Sequence, residues 1–137
     1  MAETRALSEQ LSLRGRLDRV DRSARGRGII DYKTGAAPDL DVVQRGEAVQ
    51  LPSYALLLED VLRVEYLTMD AQRVASIAGL EGEVLERLKR DIHQRLVNVW
   101  QAAREGSPLP AWGDPATCER CDMDGVCRRE AWSRQPY

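Results

Sequence analysis

Residues 11–33 read LSLRGRLDRVDRSARGRGIIDYK, and this stretch decides the fold. Leu11, Leu13 and Leu17 alternate with Arg14, Arg16 and Asp18, which predicts one strand over residues 11–22 with an apolar face. Ser23 to Gly28 holds two glycines among small polar residues and suits a turn, and Ile29 to Lys33 is a second β-rich run, so the pair predicts a hairpin. The two-residue period puts Asp31 and Lys33 on one face of the second strand and Ile30 and Tyr32 on the other. A hairpin turning about Ala24 and Arg25 sets Asp18 directly across from Asp31.

Two carboxylates opposed on neighbouring strands repel unless a positive charge lies between them. A hard divalent cation, Mg²⁺ or Mn²⁺, with oxygen ligands resolves that conflict. Such an ion acidifies water and neutralises charge on a phosphodiester, and Lys33 is placed to orient the water or stabilise the developing anion. The plainer reading makes Asp18, Asp31 and Lys33 a solvated cross-strand charge cluster. Asp21 points away from Asp18 by alternation and reads as a structural or turn residue. Arg14, Arg16, Arg19, Arg22, Arg25 and Arg27 crowd the same stretch. They suit either a solvated hairpin or a set of phosphate contacts beside a metal.

Outward from the hairpin, residues 34–46 read as a loop. Residues 48–61 have helical spacing through Leu51, Tyr54, Ala55 and Leu58, with Pro52 in the first turn where its missing N–H costs little. Gln50 and Tyr54 are four apart and therefore share a helix face. Residues 63–70 and 73–78 predict two short strands. Leu80, Val84, Leu88, Ile92, Leu96 and Val99 predict a long amphipathic helix to about Arg104, ended by Gly106, Pro108 and Pro110. His93 on that helix reads as a surface residue. The tail that follows carries Trp112, Trp132 and the cysteines and has no period of its own.

The 137 residues suit one domain, 1–137: hairpin, helix and strands over 11–78, the long helix over 80–104 and a cysteine tail over 112–130. With no phenylalanine, Leu and Val must build the core. No apolar run approaches the ~20 residues of a membrane helix and no signal peptide is evident, so a cytoplasmic location without membrane association is expected. A net charge of −2 gives no global attraction to nucleic acid, so any binding must come from local clusters. Cys118, Cys121 and Cys127 are odd in number, which argues against a disulfide framework. They are also one ligand short of a four-coordinate zinc site or a cubane iron–sulfur cluster.

Gly15-Arg16-Leu17-Asp18-Arg19-Val20-Asp21, then Ile29-Ile30-Asp31-Tyr32-Lys33-Thr34-Gly35, then Gln50-Leu51-Pro52-Ser53-Tyr54, resembles the RecB-like and AddB-like branch of the PD-(D/E)XK nuclease superfamily. The resemblance implies an α/β, restriction-endonuclease-like core with a central mixed sheet flanked by helices. It further implies a metal-dependent DNA exonuclease attached to a helicase region or subunit in double-strand-break repair and recombination. By the same resemblance Asp18, Asp31 and the carbonyl of Tyr32 hold the metal, Lys33 is the catalytic lysine, and Gln50 and Tyr54 border the site. The tail resembles that of AddB-like nucleases, where three C-terminal cysteines and a fourth upstream hold a 4Fe–4S cluster. No cysteine precedes Cys118 here, so the chain is expected to be an N-terminally truncated relative. The alternative is a catalytically incomplete nuclease-fold module that binds DNA or a repair partner.

Overall fold

The structure, a computed structural model, describes residues 1–69, 74–108 and 118–127. Its strands are β1 (Ala2–Ala6), β2 (Ser12–Arg16), β3 (Arg19–Arg22), β4 (Arg27–Lys33), β5 (Val61–Met69) and β6 (Val74–Glu81). Its helices are α1 (Leu40–Gln44), α2 (Gln50–Leu57), α3 (Gly82–Arg104) and the single turn α4 (Asp124–Cys127). The chain divides into two compact units, residues 1–100 and 101–137. Trp112, Trp132 and Pro110 of the sequence reading lie outside the described residues.

The β3–β4 hairpin has the expected register, with Arg19 opposite Ile30 and Val20 opposite Ile29. Ser23 builds its turn. The Ser23 hydroxyl accepts the N–H groups of Arg25 and Gly26 and donates to the Gly26 carbonyl, the local hydrogen bonding that makes serine a turn residue. Residues 11–22 are not one strand, however. β2 pairs antiparallel with β1, which the sequence reading did not expect, and β3 pairs with β4. The change of partner falls at Leu17 and Asp18: the Leu17 N–H donates to the Met1 carbonyl at 2.8 Å, whereas Arg19 already belongs to the other ladder. Leu17 is fully buried at this joint, which anchors it.

The second sheet runs β3-β4-β5-β6, and β4–β5 is its one parallel pair among the described strands. Parallel neighbours need a crossover, and the segment holding α1 and α2 provides it. The result is the expected mixed sheet with flanking helices. α1 lies inside the stretch read as a loop, held by Val43, which is fully buried. α2 is shorter than expected because Val61 already opens β5.

Leu80 ends in β6 rather than in the long helix, and it packs in the core with Leu17, Ile29, Leu51, Val64 and Tyr66. The buried stripe of α3 is Leu85, Leu88 and Ile92, while Val84 and Val99 are exposed. The helical spacing counted from Leu80 is therefore off by one at Leu85. The end of α3 is as expected. Gly106 has φ +72, its N–H reaches the Ala103 carbonyl, and the Ser107 N–H reaches Ala102. That pairing satisfies the last carbonyls of the helix and needs a left-handed residue at Gly106. Among the described residues no helix is long and apolar enough to cross a membrane.

Candidate active site

β4 delivers Asp31 and Lys33 to one side of the sheet, the side that also buries Ile29. Asp31 is only 3% exposed and is the one charged residue among the buried side chains described. A buried carboxylate needs charge and hydrogen-bond partners. Lys33 Nζ lies 2.7 Å from Asp31 Oδ2, and Gln50 Nε2 donates to Asp31 Oδ1 at 3.2 Å. Lys33 also donates to Gln50 Oε1 at 2.8 Å, and Gln50 Nε2 donates to the Tyr54 hydroxyl at 3.0 Å. The four-residue spacing of Gln50 and Tyr54 thus places both on one face of α2, as expected. The Gln50 amide has a required sense. Turned over, its NH₂ would face the Lys33 ammonium and its oxygen would face the Asp31 carboxylate.

Asp18 sits at the joint between β2 and β3, one residue before the ladder that contains Arg19. Its Oδ2 accepts the Tyr32 backbone N–H at 3.0 Å. The carboxylate therefore lies against the peptide that follows Asp31. Tyr32 meets Asp18 through its N–H, and its hydroxyl accepts a bond from Arg19 at 3.2 Å. Asp21 is exposed and pairs with Arg19 at 2.7 Å, the structural role expected of it. That Asp21 bond, and then the one to Tyr32, raises the Arg19 pKa further above its already high ordinary value. His93 is half-buried rather than at the surface: its Nε2 lies 3.1 Å from the Leu7 carbonyl. It therefore ties α3 to the loop between β1 and β2.

Tyr66 was not among the residues singled out from the sequence. It stands on β5 opposite Asp31 in the parallel register, 1% exposed, with its hydroxyl 3.3 Å from Gln50 Oε1 and the Lys33 ammonium 5.1 Å from its ring centre. Its signal was a tyrosine in an apolar, alternating run. Finding it also required knowing that β5 lies beside β4, which a crossover conceals. Burial first, and then the Asp31 carboxylate, push its phenol up to about 12. The folded protein keeps this proton where an unfolded tyrosine, near 10, releases it. Its contribution to stability is intact below pH 10 and is lost as pH rises from about 10 through about 12. Urea unfolding across that range should show stability falling more steeply for the wild type than for Tyr66→Phe; parallel declines would contradict the assignment.

Asp31 Oδ2 is buried and has no aligned hydrogen-bond donor, although the Lys33 ammonium is close. A buried carboxylate oxygen that meets an ammonium but no aligned donor, with a second carboxylate, Asp18, against the adjoining peptide, suits a hard divalent cation. Among the described residues no three His, Cys, Asp or Glu side chains converge on a point. The protein can thus offer two carboxylates and backbone oxygen, with water filling the remaining positions, as Mg²⁺ commonly accepts. The tail does not fit a cluster. Cys118, Cys121 and Cys127 form no disulfide, the Cys121 N–H donates to the Cys118 carbonyl at 3.2 Å, and three thiolates remain one ligand short.

A family model described as the PD-(D/E)XK nuclease superfamily matches residues 2–128. No curated protein and no solved structure matches the chain.

Proposed function

The chain belongs to the PD-(D/E)XK nuclease superfamily, and from that premise we propose that it hydrolyses phosphodiester bonds of DNA with Mg²⁺ or Mn²⁺. The observation that carries the reading is the buried Asp31, bound to Lys33 and Gln50 yet keeping one oxygen without an aligned donor. Asp18, Asp31 and the Tyr32 carbonyl would hold the ion. When bound, it supplies charge neutralisation at the phosphodiester and a lowered pKa for attacking water.

The rest falls to the protein. Lys33 is the more solvent-accessible member of the Asp31–Lys33 pair, so its ammonium, held by Asp31 and Gln50, can also meet a phosphate oxygen or orient water. Gln50 keeps Lys33 and Asp31 in fixed relation by accepting from one and donating to the other. Tyr54 extends the same line along α2. The resemblance of these segments to the RecB-like and AddB-like branch supports a narrower assignment: an exonuclease serving a helicase in double-strand-break repair. The cysteine tail adds no step to this chemistry.

One observation favours a second reading, a nuclease-fold module that binds DNA without cutting it: no third acidic or histidine side chain joins Asp18 and Asp31 among the described residues. Incubating end-labelled linear DNA and covalently closed circular DNA with the protein and Mg²⁺ separates the two. The exonuclease reading expects short products from linear DNA alone. Nicking of the circle would replace it with an endonuclease, and retarded but intact DNA would favour the binding module.

A further inference from the structure

We propose that Tyr66 is a positioning residue for the Lys33–Gln50–Asp31 cluster; the proposal rests on the nuclease reading above and adds a residue to it. Two contacts converge on this one side chain. Its hydroxyl donates to Gln50 Oε1 at 3.3 Å, and its ring carries the Lys33 ammonium at 5.1 Å from the centroid.

The consequence concerns Gln50. Its oxygen must face Lys33 and its NH₂ must face Asp31, or like groups oppose each other. The Tyr66 hydroxyl donates its proton to Gln50 Oε1. That proton favours the working orientation of the amide and disfavours the reverse. At 3.3 Å the bond is long for a hydroxyl donor, so its effect is to bias an orientation rather than to hold α2 in place. The ring meanwhile gives the ammonium a seat on its face, an attraction of the cation–π kind. Being 1% exposed, Tyr66 does not touch DNA and acts only through Lys33 and Gln50.

A double-mutant cycle of Tyr66→Phe and Gln50→Ala tests this, because Phe keeps the ring and removes only the hydroxyl. Tyr66→Phe should lower kcat roughly tenfold with KM nearly unchanged, and it should cause no further loss when Gln50 is already Ala. Effects that multiply would mean that Tyr66 acts by packing alone and would overturn the proposal. A second measurement needs no activity: the side-chain amide signals of Gln50 in nuclear magnetic resonance spectra of the metal-free protein. They should shift and exchange faster with solvent in folded Tyr66→Phe, and unchanged signals would overturn the proposal. Should that variant fail to fold, the wild type decides. A protected Gln50 amide close to the Tyr66 ring supports positioning, and a freely exchanging one refutes it. If the wild type cleaves no DNA, the nuclease reading fails while the amide signals still decide the role of Tyr66.

Discussion

Asp31→Asn should give a folded protein whose metal-dependent DNA cleavage is slower by about a thousandfold or more, equivalent to roughly 4 kcal/mol of lost transition-state stabilisation. Asparagine has the same shape, and its oxygen can still accept from Gln50 Nε2. Its NH₂ would face the Lys33 ammonium, now 2.7 Å from Oδ2, but Lys33 retains Gln50 Oε1 and has access to water. The expected loss of stability is therefore only about 1 kcal/mol. Removing the negative charge is a different matter, since a neutral amide is a poor ligand for a hard divalent cation. Single-turnover rates and thermal melts on the same preparations give both numbers. Activity within tenfold of wild type would remove Asp31 from the metal site, and an unfolded variant would show that its pair with Lys33 serves the fold.

Gly26→Ala should have the opposite profile, with a large loss of stability arising far from the chemistry. Gly26 has φ +152, and a Cβ there would lie 2.5 Å from the Asp60 backbone carbonyl and 2.8 Å from Leu62 Cγ. The same carbonyl accepts the Arg27 N–H at 2.8 Å, at the point where β5 begins beside β4. The obstacle is backbone rather than the tip of a flexible side chain, so relief requires moving the start of β5 or the hairpin turn. Strain of this kind costs on the order of 3 kcal/mol with the clash included, which lowers the melting temperature of a domain near 100 residues by roughly 15 °C. A melt within about 3 °C of wild type would show that the turn can open without disturbing the sheet.

Much of the site was legible because it depends on local rules. The two-residue period fixed Asp31 and Lys33 on one face, the turn about Ala24 and Arg25 fixed the hairpin register, and four-residue spacing joined Gln50 to Tyr54. What sequence reading missed depends on partners distant in the chain. Residues Ala2 to Ala6 lack an apolar alternation, so their pairing with β2 is a matter of backbone hydrogen bonds that side chains do not announce. Leu17 continues the alternation of β2 smoothly, which hides the change of partner that puts Asp18 at a joint instead of inside a ladder. Leu80 satisfied a helical spacing by coincidence while belonging to β6. Tyr66 became visible only once the crossover through α1 and α2 had set β5 parallel to β4.

The most direct test of the central claim is cleavage of labelled linear DNA by the wild type and by Lys33→Ala, each with Mg²⁺ or Mn²⁺ and each with a chelator. Lys33 links Asp31 to Gln50 and keeps access to solvent, so its loss should reduce cleavage by about a hundredfold or more while the protein stays folded. The account predicts cleavage by the wild type that requires the metal and nearly disappears in Lys33→Ala. Equal cleavage by both proteins, or none by a well-folded wild type, would contradict it.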